Sequence, residues 1–397
     1  MPGVSPDPSA PPDPPPPPAA IASPGVVARE WTRLGLIGFG GPPAHIALLR
    51  RLVVDRRGWM DARGFEDANA VCGMLPGPAS TQMAIYCAYR VGGPTGAVIG
   101  GLGFIVPAVA IILALSALVL GHAPPLWVRG AGAGAGAAVP AVALQAARGL
   151  LGPSLERARS RSAVPAWAAY VVAGGVAAVL VGPYLVLVLL ACGAVELVRR
   201  RPRAASPPAA GLVLPATVSA GGYGALAWTA VKVGALSFGG GFVIIPLMQG
   251  DAVHVNHWMT NAQFLNAVAL GQITPGPVVA TIAAVGYAAH GLAGGIMAAA
   301  IAFAPSFAFV LLAGRRFDGL RELPGPRAFL DGAGPAAVGA IGGAAVALAR
   351  VLAETWQFGV LTVAVIALLV LNRGVVLTLV GAAGVGVALA LLGAPVP

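Results

Sequence analysis

Two short Pro-Gly-Pro sequences, each inside a long apolar stretch, carry the chemistry that this sequence suggests first. They are Pro76-Gly77-Pro78 and Pro275-Gly276-Pro277. A proline removes a backbone donor and breaks the helix around it, but it suits the first turn of a new helix. A half-helix that begins after each motif exposes free N–H groups and the positive end of its dipole, which together attract anions. The motifs therefore predict an anion site within the apolar part of the protein.

Side chains that donate hydrogen bonds to oxygen stand beside both motifs. They are Ser80, Thr81 and Gln82 after the first motif, and Gln272 and Thr274 before the second. With no cage of carboxylates among them, these donors favour an oxyanion over a cation.

Two Phe-Gly-Gly sequences supply a second break in each half of the chain. Their glycines, Gly40-Gly41 and Gly239-Gly240, allow backbone to approach backbone or a ligand closely. The alternative role is close helix packing through small residues, which accounts for most other glycines in the chain. We assign these four glycines to the predicted binding site.

Arg33 and Lys232 each stand six residues before a Phe-Gly-Gly sequence. An unpaired charge in an apolar segment is costly, so both are candidates for raising the potential around an anion. The alternative is that each side chain extends its charge towards the membrane surface.

Four titratable residues near these motifs are candidates for proton coupling: His45, Glu66, Asp67 and Asp251. A group that carries protons must titrate within reach of the substrate path. Each of the four could instead be an ordinary loop or interface residue.

Other chemistry is disfavoured. Cys72, Cys87 and Cys192 stand singly in or beside apolar stretches, and His254 and His257 have no partner cluster, so no metal site is predicted. The chain contains no P-loop, dinucleotide fingerprint or Ser/His/Asp set. We predict no enzymatic activity and no cofactor.

Composition determines which elements position these residues. Apolar residues make up 57% of the 397 and charged residues only 10%, which excludes an ordinary water-soluble domain. Continuous apolar stretches of about 20 residues favour membrane-spanning helices over strands. The predicted fold is therefore an all-α polytopic membrane protein. Its twelve apolar segments lie at about 30–49, 68–89, 94–120, 130–148, 164–181, 183–198, 216–249, 262–287, 291–314, 332–350, 356–371 and 374–393.

The division of the chain follows from the same segments. Residues 1–28 are rich in proline and are predicted to form a disordered tail. Two repeats are predicted to follow at 29–198 and 216–397, and a cytoplasmic linker at 199–215 to join them.

The two halves are an internal repeat. Phe39-Gly40-Gly41, Trp59-Met60 and Phe65 all recur 199 residues later, as do the Pro-Gly-Pro motifs (275 − 76 = 199). Gly35 with Gly234 and Gly92 with Gly291 share the spacing. Because Trp, Phe and Pro match in one ungapped register, we infer a duplication.

Loop charge predicts how the repeats are oriented. The net charge of +10 comes almost wholly from arginine. The arginines cluster at Arg50 to Arg63, Arg90, Arg148 to Arg161, Arg199 to Arg203, and Arg315 to Arg327. The positive-inside bias places these loops in the cytoplasm. A weaker reading adds attraction of an anionic solute, whereas binding of nucleic acid is remote.

Twelve full crossings would put the loops at Arg50 and Arg148 on opposite faces. This conflicts with the positive-inside bias, because both loops are rich in arginine. The conflict disappears if the Pro-Gly-Pro segments at 68–89 and 262–287 enter and leave on one face. Each repeat then crosses five times and the second is inverted, a transporter architecture. We predict ten crossings plus two re-entrant Pro-Gly-Pro hairpins, with twelve full crossings as the alternative.

These motifs resemble those of the chromate ion transporter family in its long form with two homologous halves. The resemblance rests on FGGPPAHIALLR at 39–50, RRGWM at 56–60, MLPGPASTQMAIY at 74–86, KVGALSFGGGFVIIPLMQ at 232–249 and ITPGPVV at 273–279. It covers nearly everything beyond residue 30. The chain departs from the family pattern at Arg51 and Leu52, where acidic residues are common, and at Asp251, where glutamate is common.

The resemblance implies a secondary active transporter of a divalent oxyanion in the plasma membrane. The expected activity is chromate efflux that confers chromate resistance, driven by the proton gradient or the membrane potential. Sulfate has the same charge and shape and remains an alternative substrate, and a passive anion channel remains an alternative mechanism. A homodimer is left open.

Overall fold

The computed structural model describes residues 22–73, 77–121, 124–180, 184–200, 222–237, 243–313 and 324–396. These residues are helical apart from short connections, and no strand occurs among them, as expected for an all-α membrane protein. The first helix begins at Pro24, within the stretch predicted to be a tail. Most of that tail and all but the first two residues of the predicted linker at 199–215 lie outside the described residues.

The first repeat contains seven helices among its described residues. They are α1 (Pro24–Ile37), α2 (Gly41–Arg50) with a π-helical turn (Arg51–Arg56), α3 (Ala62–Cys72), α4 (Ala79–Val119), α5 (Leu126–Arg159), α6 (Val164–Leu180) and α7 (Leu185–Arg199).

The second repeat gives the same order. Its described helices are α8 (Tyr223–Leu236), α9 (Ile244–Gln249) with a π-helical turn (Gly250–Val255), α10 (Asn261–Ile273), a 3-10 turn (Val278–Ala280), α11 (Thr281–Ala313), α12 (Pro324–Ala349), α13 (Thr355–Val365) with a π-helical turn (Ile366–Val370), and α14 (Val375–Leu391).

Local backbone geometry repeats at the spacing predicted from the sequence. The first π-helical turn of each repeat begins at Arg51 or Gly250, 199 residues apart (250 − 51 = 199). The caps of α3 and α10, Asp61 and Thr260, share this spacing and each accepts a hydrogen bond from the backbone three residues on. The duplication therefore extends from sequence to backbone conformation.

Both α4 and α11 contain a sharp break that divides each into two arms. Gly93 has φ +65° and Gly291 has φ +63°, values that favour glycine. A methyl group at Gly101 would lie 2.9 Å from Ile85, although a straight helix would separate these residues by about 24 Å. The arms therefore fold back on each other, α4 as residues 79–91 and 94–119, and α11 as 281–289 and 292–313.

These breaks correct one detail of the predicted alignment. Gly291 matches Gly93 and not Gly92, so the spacing falls to 198 beyond the break (291 − 93 = 198). Pro107 and Pro305, both inside second arms, confirm the shorter spacing. Ala108 and Ser306 are therefore equivalent residues, and this matters for the site.

Two helical hairpins in the first repeat open at the same end of the molecule. Arg56 and Arg57, which follow α2, pair with Glu30 in the middle of α1 at 2.6 and 2.5 Å. Asp61 at the start of α3 has a pKa below its usual value, mainly because the Gly64 amide donates to it, and the nearby guanidinium of Arg90 lowers that pKa further. The segment at 30–49, predicted as one crossing, thus divides into α1 and α2, which fold back side by side.

Helix packing interlocks the two repeats. Helix α5 packs against α13 and α14 of the second repeat, and its equivalent α12 packs against α6 and α7 of the first. Glycines permit the close approach, since a methyl at Gly130 would lie 2.7 Å from the Gly386 carbonyl oxygen. Arg161, just beyond the end of α5, pairs with Asp331 near the start of α12. The equivalent helices α5 and α12 therefore run in opposite directions.

Four of the described helical segments are long and apolar enough to cross a membrane: Ala79–Val119, Leu126–Arg159, Val278–Leu312 and Arg327–Ala349. Three shorter apolar helices accompany them, at Val164–Leu180, Thr355–Val370 and Val375–Leu391.

Candidate functional site

The breaks predicted to bind an anion meet inside the molecule. We call them tips: the Phe-Gly-Gly tip at Gly38–Gly41, the first Pro-Gly-Pro tip at Gly77 and Pro78, and the second Pro-Gly-Pro tip at Pro275–Pro277. The amide of Gly276 donates a hydrogen bond of 2.9 Å to the carbonyl oxygen of Gly38. The second Pro-Gly-Pro tip is thus bonded to the end of α1, across the boundary between the repeats.

The first Pro-Gly-Pro tip makes the reciprocal approach to the second repeat. A methyl group placed on Gly77 would lie 3.2 Å from the carbonyl oxygen of Gly234, near the end of α8. It would also lie 2.7 Å from Nε2 of Gln82 and 3.6 Å from Oγ of Ser306. Gly77 and Gly276 have φ of +118° and +101°, so a side chain at either position would be strained. Each tip requires glycine for its conformation and for the space around it.

His45 connects three of the elements that meet here. Its side chain is 1% exposed, its Nε2 lies 2.9 Å from the Gly38 carbonyl oxygen, and its Nδ1 lies 3.4 Å from Oγ of Ser80. Because a carbonyl can only accept, Nε2 carries the proton, and in the neutral ring Nδ1 accepts from Ser80. The Gly38 oxygen therefore receives both His45 and Gly276.

Several buried polar atoms around the tips have no hydrogen-bond partner among the described residues. They are Oγ1 of Thr81, Oγ of Ser237, Nε2 of Gln272 and Oγ of Ser306. A buried polar group without a partner costs free energy. Such groups beside a helix start provide donors for a polar ligand.

The family model described as chromate transporter matches the chain twice, over residues 26–197 and 224–387. The chain belongs to the chromate transporter family. Among its relatives, the chromate transport protein of Cupriavidus metallidurans is 32% identical over 80% of each chain. The chromate transport protein of Pseudomonas aeruginosa is 31% identical over 82% of this chain and 81% of its own. No solved structure matches the chain.

A further relative carries no substrate in its name. An uncharacterized transporter of Methanocaldococcus jannaschii is 28% identical over 74% of this chain and 76% of its own. Membership of a transporter family, together with the apolar helices, implies a multi-pass membrane protein whose role is transport.

Lys232 forms a buried ion pair with Asp251. Thr229, one turn earlier on α8, donates a hydrogen bond of 3.0 Å to the same carboxylate oxygen of Asp251. The ammonium group also lies 5.8 Å from the ring centre of Trp228. Two residues predicted for separate roles, one in substrate attraction and one in proton coupling, therefore compensate each other's charge.

The other predicted charged residues lie away from the tips. Arg33 is exposed on α1. Glu66 is exposed on α3, where its side chain lies 3.6 Å from Arg50, and Asp67 beside it is partly exposed. Among the four proton-coupling candidates, His45 is the one that contacts a tip.

Three predicted site residues, Pro76, Gly239 and Gly240, lie outside the described residues. Gly40 and Gly41 are described and have φ of +101° and +73°, which fits the expected break before α2. Thr274 lies next to the second Pro-Gly-Pro tip, and its hydroxyl donates to the Leu270 carbonyl.

Sequence reasoning missed Glu30 and Ser306. Glu30 binds Arg56 and Arg57 in the first repeat, where the second repeat pairs Lys232 with Asp251. The acid stands on the first helix in one repeat and on the π-helical turn in the other. A comparison of Glu30 with its equivalent Thr229 (229 − 30 = 199) reveals an acid at a position that is uncharged in the other repeat.

Proposed function

We propose that this protein is a secondary active transporter that moves a divalent oxyanion, chromate in the first place, out of the cytoplasm. Support comes from relatives that are named chromate transport proteins and from the meeting of the tips, where Gly276 bonds to Gly38. Helix starts bring N–H groups and positive dipole ends to one place. This convergence is the observation that carries the proposal.

The substrate site lies among the tips. Its proposed lining comprises the backbone of Gly40, Gly41, Gly77, Pro78, Gly276 and Pro277, the flanking residues Pro76, Gly239, Gly240 and Pro275, and the side chains of Thr81, Gln82, Gln272 and Thr274. Neutral donors of this kind match the oxygen atoms of a tetrahedral oxyanion, because hydrogen bonds to a charged acceptor are the stronger ones. Sulfate fits the same chemistry and is the natural competitor.

In the membrane, the hairpins of α1 with α2 and of α3 with the first arm of α4 enter and leave on one face. The ion pairs of Glu30 and the proximity of Asp61 to Arg90 support this arrangement. The equivalent hairpins of the second repeat enter from the opposite face, which requires the chain to pass between the faces once between α7 and α8. The crossings among the described helices are then eight rather than ten, made by the second arms of α4 and α11 and by α5, α6, α7, α12, α13 and α14.

The arginine-rich loops face the cytoplasm in this arrangement. Residues 120–125 connect the second arm of α4 to α5. The opposite ends of these two helices, next to Arg90 and Arg161, therefore lie on the same side of the membrane. Arg161 and Arg200 both pair with Asp331, which places the end of α7 there too. The positive-inside bias then assigns this side to the cytoplasm of a cell whose plasma membrane holds the protein.

Energy coupling is proposed to run through protons or the membrane potential. His45 supports a proton-linked cycle because it touches Gly38 and Ser80, on two elements that must separate if the tips open. A protonated ring would donate from Nδ1 to Ser80 instead of accepting from it, so protonation reverses this hydrogen bond and adds a positive charge beside the tips.

Chromate accumulation in cells tests the proposal. Cells that express the protein should retain less chromate than cells with an empty vector. Gly276→Ala should abolish the effect, because its methyl would lie 2.6 Å from the Ala108 side chain in a left-handed backbone. Gly149→Ala is the matched control, since nothing lies within 4 Å of a methyl there. Normal accumulation in cells with correctly inserted wild-type protein would reject chromate efflux.

A passive anion channel is the competing mechanism. It shares the same tips but needs no coupling ion. Flux that persists without saturation after the pH gradient and the membrane potential are collapsed would identify a channel and contradict active transport.

A further inference from the structure

We propose that the oxyanion binds at the first Pro-Gly-Pro tip alone, where Ser306 of the second repeat donates a hydrogen bond to it. The second Pro-Gly-Pro tip closes the contact between the repeats instead. This inference rests on the proposed function and narrows its site from two tips to one.

The two Pro-Gly-Pro tips differ in the side chains that follow them. The first is followed by Ser80, Thr81 and Gln82, and the second by Val279, Ala280 and Thr281 at the equivalent positions. The residue of the opposite repeat that faces each tip is likewise polar at the first tip and apolar at the second. Ser306 faces Gly77, and its equivalent Ala108 faces Gly276. Only the first tip therefore has hydroxyl groups both on the helix that follows it and on the facing helix of the opposite repeat.

Ser306 provides the observation that points to a ligand. Its side chain is 0% exposed, and its hydroxyl has no hydrogen-bond partner among the described residues. The hydroxyl lies 3.6 Å from the place of a methyl on Gly77, and Nε2 of Gln82 lies 2.7 Å from that same place. Two donors thus converge on the space that a side chain at Gly77 would fill.

The helix start adds backbone donors to the same space. The arm at 79–91 begins directly after Pro78, and the amides of Thr81 and Gln82 are the first in this arm that bond back, to the Pro78 carbonyl. The amides of Ala79 and Ser80 precede them and belong to the unpaired first turn of the helix. The arm is 13 residues long, enough for a dipole that favours an anion at its start.

The second tip has already used its donors. The Gly276 amide bonds to Gly38, the Thr274 hydroxyl to Leu270 and the Thr281 hydroxyl to Val278. Gln272 keeps an unbonded amide nitrogen, but it lies on α10, three residues before Pro275. Binding at this tip would require breaking the bond that joins the repeats.

Neutral donors suit a transporter better than a fixed cation at the tip. They stabilise a buried dianion through charge-assisted hydrogen bonds, whereas an adjacent lysine or arginine would hold it more tightly and slow its release. The charged residue of α8, Lys232, is compensated by Asp251.

The test measures uptake of labelled chromate by the full-length protein in proteoliposomes. Ser306→Ala introduces the residue that the first repeat has at the equivalent position, Ala108. It should raise the KM about tenfold or more, because a hydrogen bond to a charged group is lost, while Vmax stays close to wild type. Ser116→Ala is the matched control. Ser116 is also 0% exposed, and its hydroxyl has no hydrogen-bond partner among the described residues, but it lies eight residues beyond Ala108, the residue that faces the second tip. It should leave the KM unchanged.

A second pair of variants compares the tips directly. Thr81→Val and Thr281→Val keep the shape of the side chain and remove its hydroxyl. Thr81→Val should raise the KM and Thr281→Val, at the second tip, should not, with thermal midpoints showing that both fold. If Ser306→Ala fails to fold, Ser306→Cys replaces it, because a thiol has similar size but is a weak donor.

The outcomes separate this inference from the proposed function. A wild-type KM in the folded Ser306 variant overturns the assignment of Ser306. An equal rise in Thr81→Val and Thr281→Val overturns the restriction to one tip. Wild-type vesicles that take up neither labelled chromate nor labelled sulfate reject the proposed function itself, and the inference with it.

Discussion

Replacement of Lys232 by methionine should destabilise the protein strongly. The change removes the positive partner of Asp251, a residue that is 5% exposed. Among the described residues, it leaves only the Thr229 hydroxyl on the Asp251 carboxylate. Breaking a buried ion pair by removing one partner costs about 3–5 kcal/mol, because the remaining charge is left uncompensated. Lys232 itself is only 13% exposed, so water offers little compensation.

The double variant Lys232→Met with Asp251→Leu should recover most of this loss. Leucine is the residue of the first repeat at the equivalent position, Leu52 (251 − 52 = 199). Replacing both members of a buried pair by apolar residues is often neutral or stabilising. The wild type and the double variant should therefore unfold at similar thermal midpoints, and the single variant at a much lower one.

Thermal unfolding of purified protein, followed by size-exclusion chromatography, measures these midpoints. Arg50→Met is the control, because its partners Asp55 and Glu66 have side chains that are 50% and 61% exposed and such pairs contribute about 0–1 kcal/mol. The reasoning fails if Lys232→Met is as stable as Arg50→Met, or if the double variant is as unstable as the single one. A stable double variant that no longer transports chromate would show instead that the Lys232–Asp251 pair acts in transport.

Two further predictions concern the hairpins. Glu30→Gln should cost about 1–3 kcal/mol in thermal unfolding, because Arg56 and Arg57 lose a charged acceptor; a midpoint equal to wild type would contradict the role of Glu30 in joining α1 to the end of α2. On a cysteine-free background, Gly58→Cys and His257→Cys, which are equivalent residues (257 − 58 = 199), should react with an impermeant maleimide from opposite faces of the membrane. Labelling of both from one face would refute inverted repeats.

The repeat and the breaks were readable from the sequence because proline, tryptophan and phenylalanine recur at one spacing. The structure places the π-helical turns that begin at Arg51 and Gly250 at that same spacing. The shift to 198 was missed, since the adjacent glycines Gly92 and Gly93 match Gly291 equally well as letters. The pair Pro107 and Pro305 has the shorter spacing in the sequence, and the backbone dihedral angles locate the shift at the break.

Pairing between elements was the other limit. The sequence places Lys232 and Asp251 in separate segments, and their contact depends on how α8 folds back against the π-helical turn. The fold-back of α1 against α2 was missed for a related reason. Two short helices and one long crossing contain similar numbers of apolar residues, so hydropathy alone does not separate them. Ser306 needed the structure because its importance lies in facing Gly77.

Counterflow in proteoliposomes tests the central claim most directly. Vesicles that contain the purified protein are loaded with unlabelled chromate and placed in labelled chromate or labelled sulfate, with and without an imposed pH gradient. The account predicts saturable exchange of labelled chromate, inhibition by unlabelled sulfate, and a rate that changes with the gradient. Vesicles that exchange no more chromate than protein-free vesicles would contradict it.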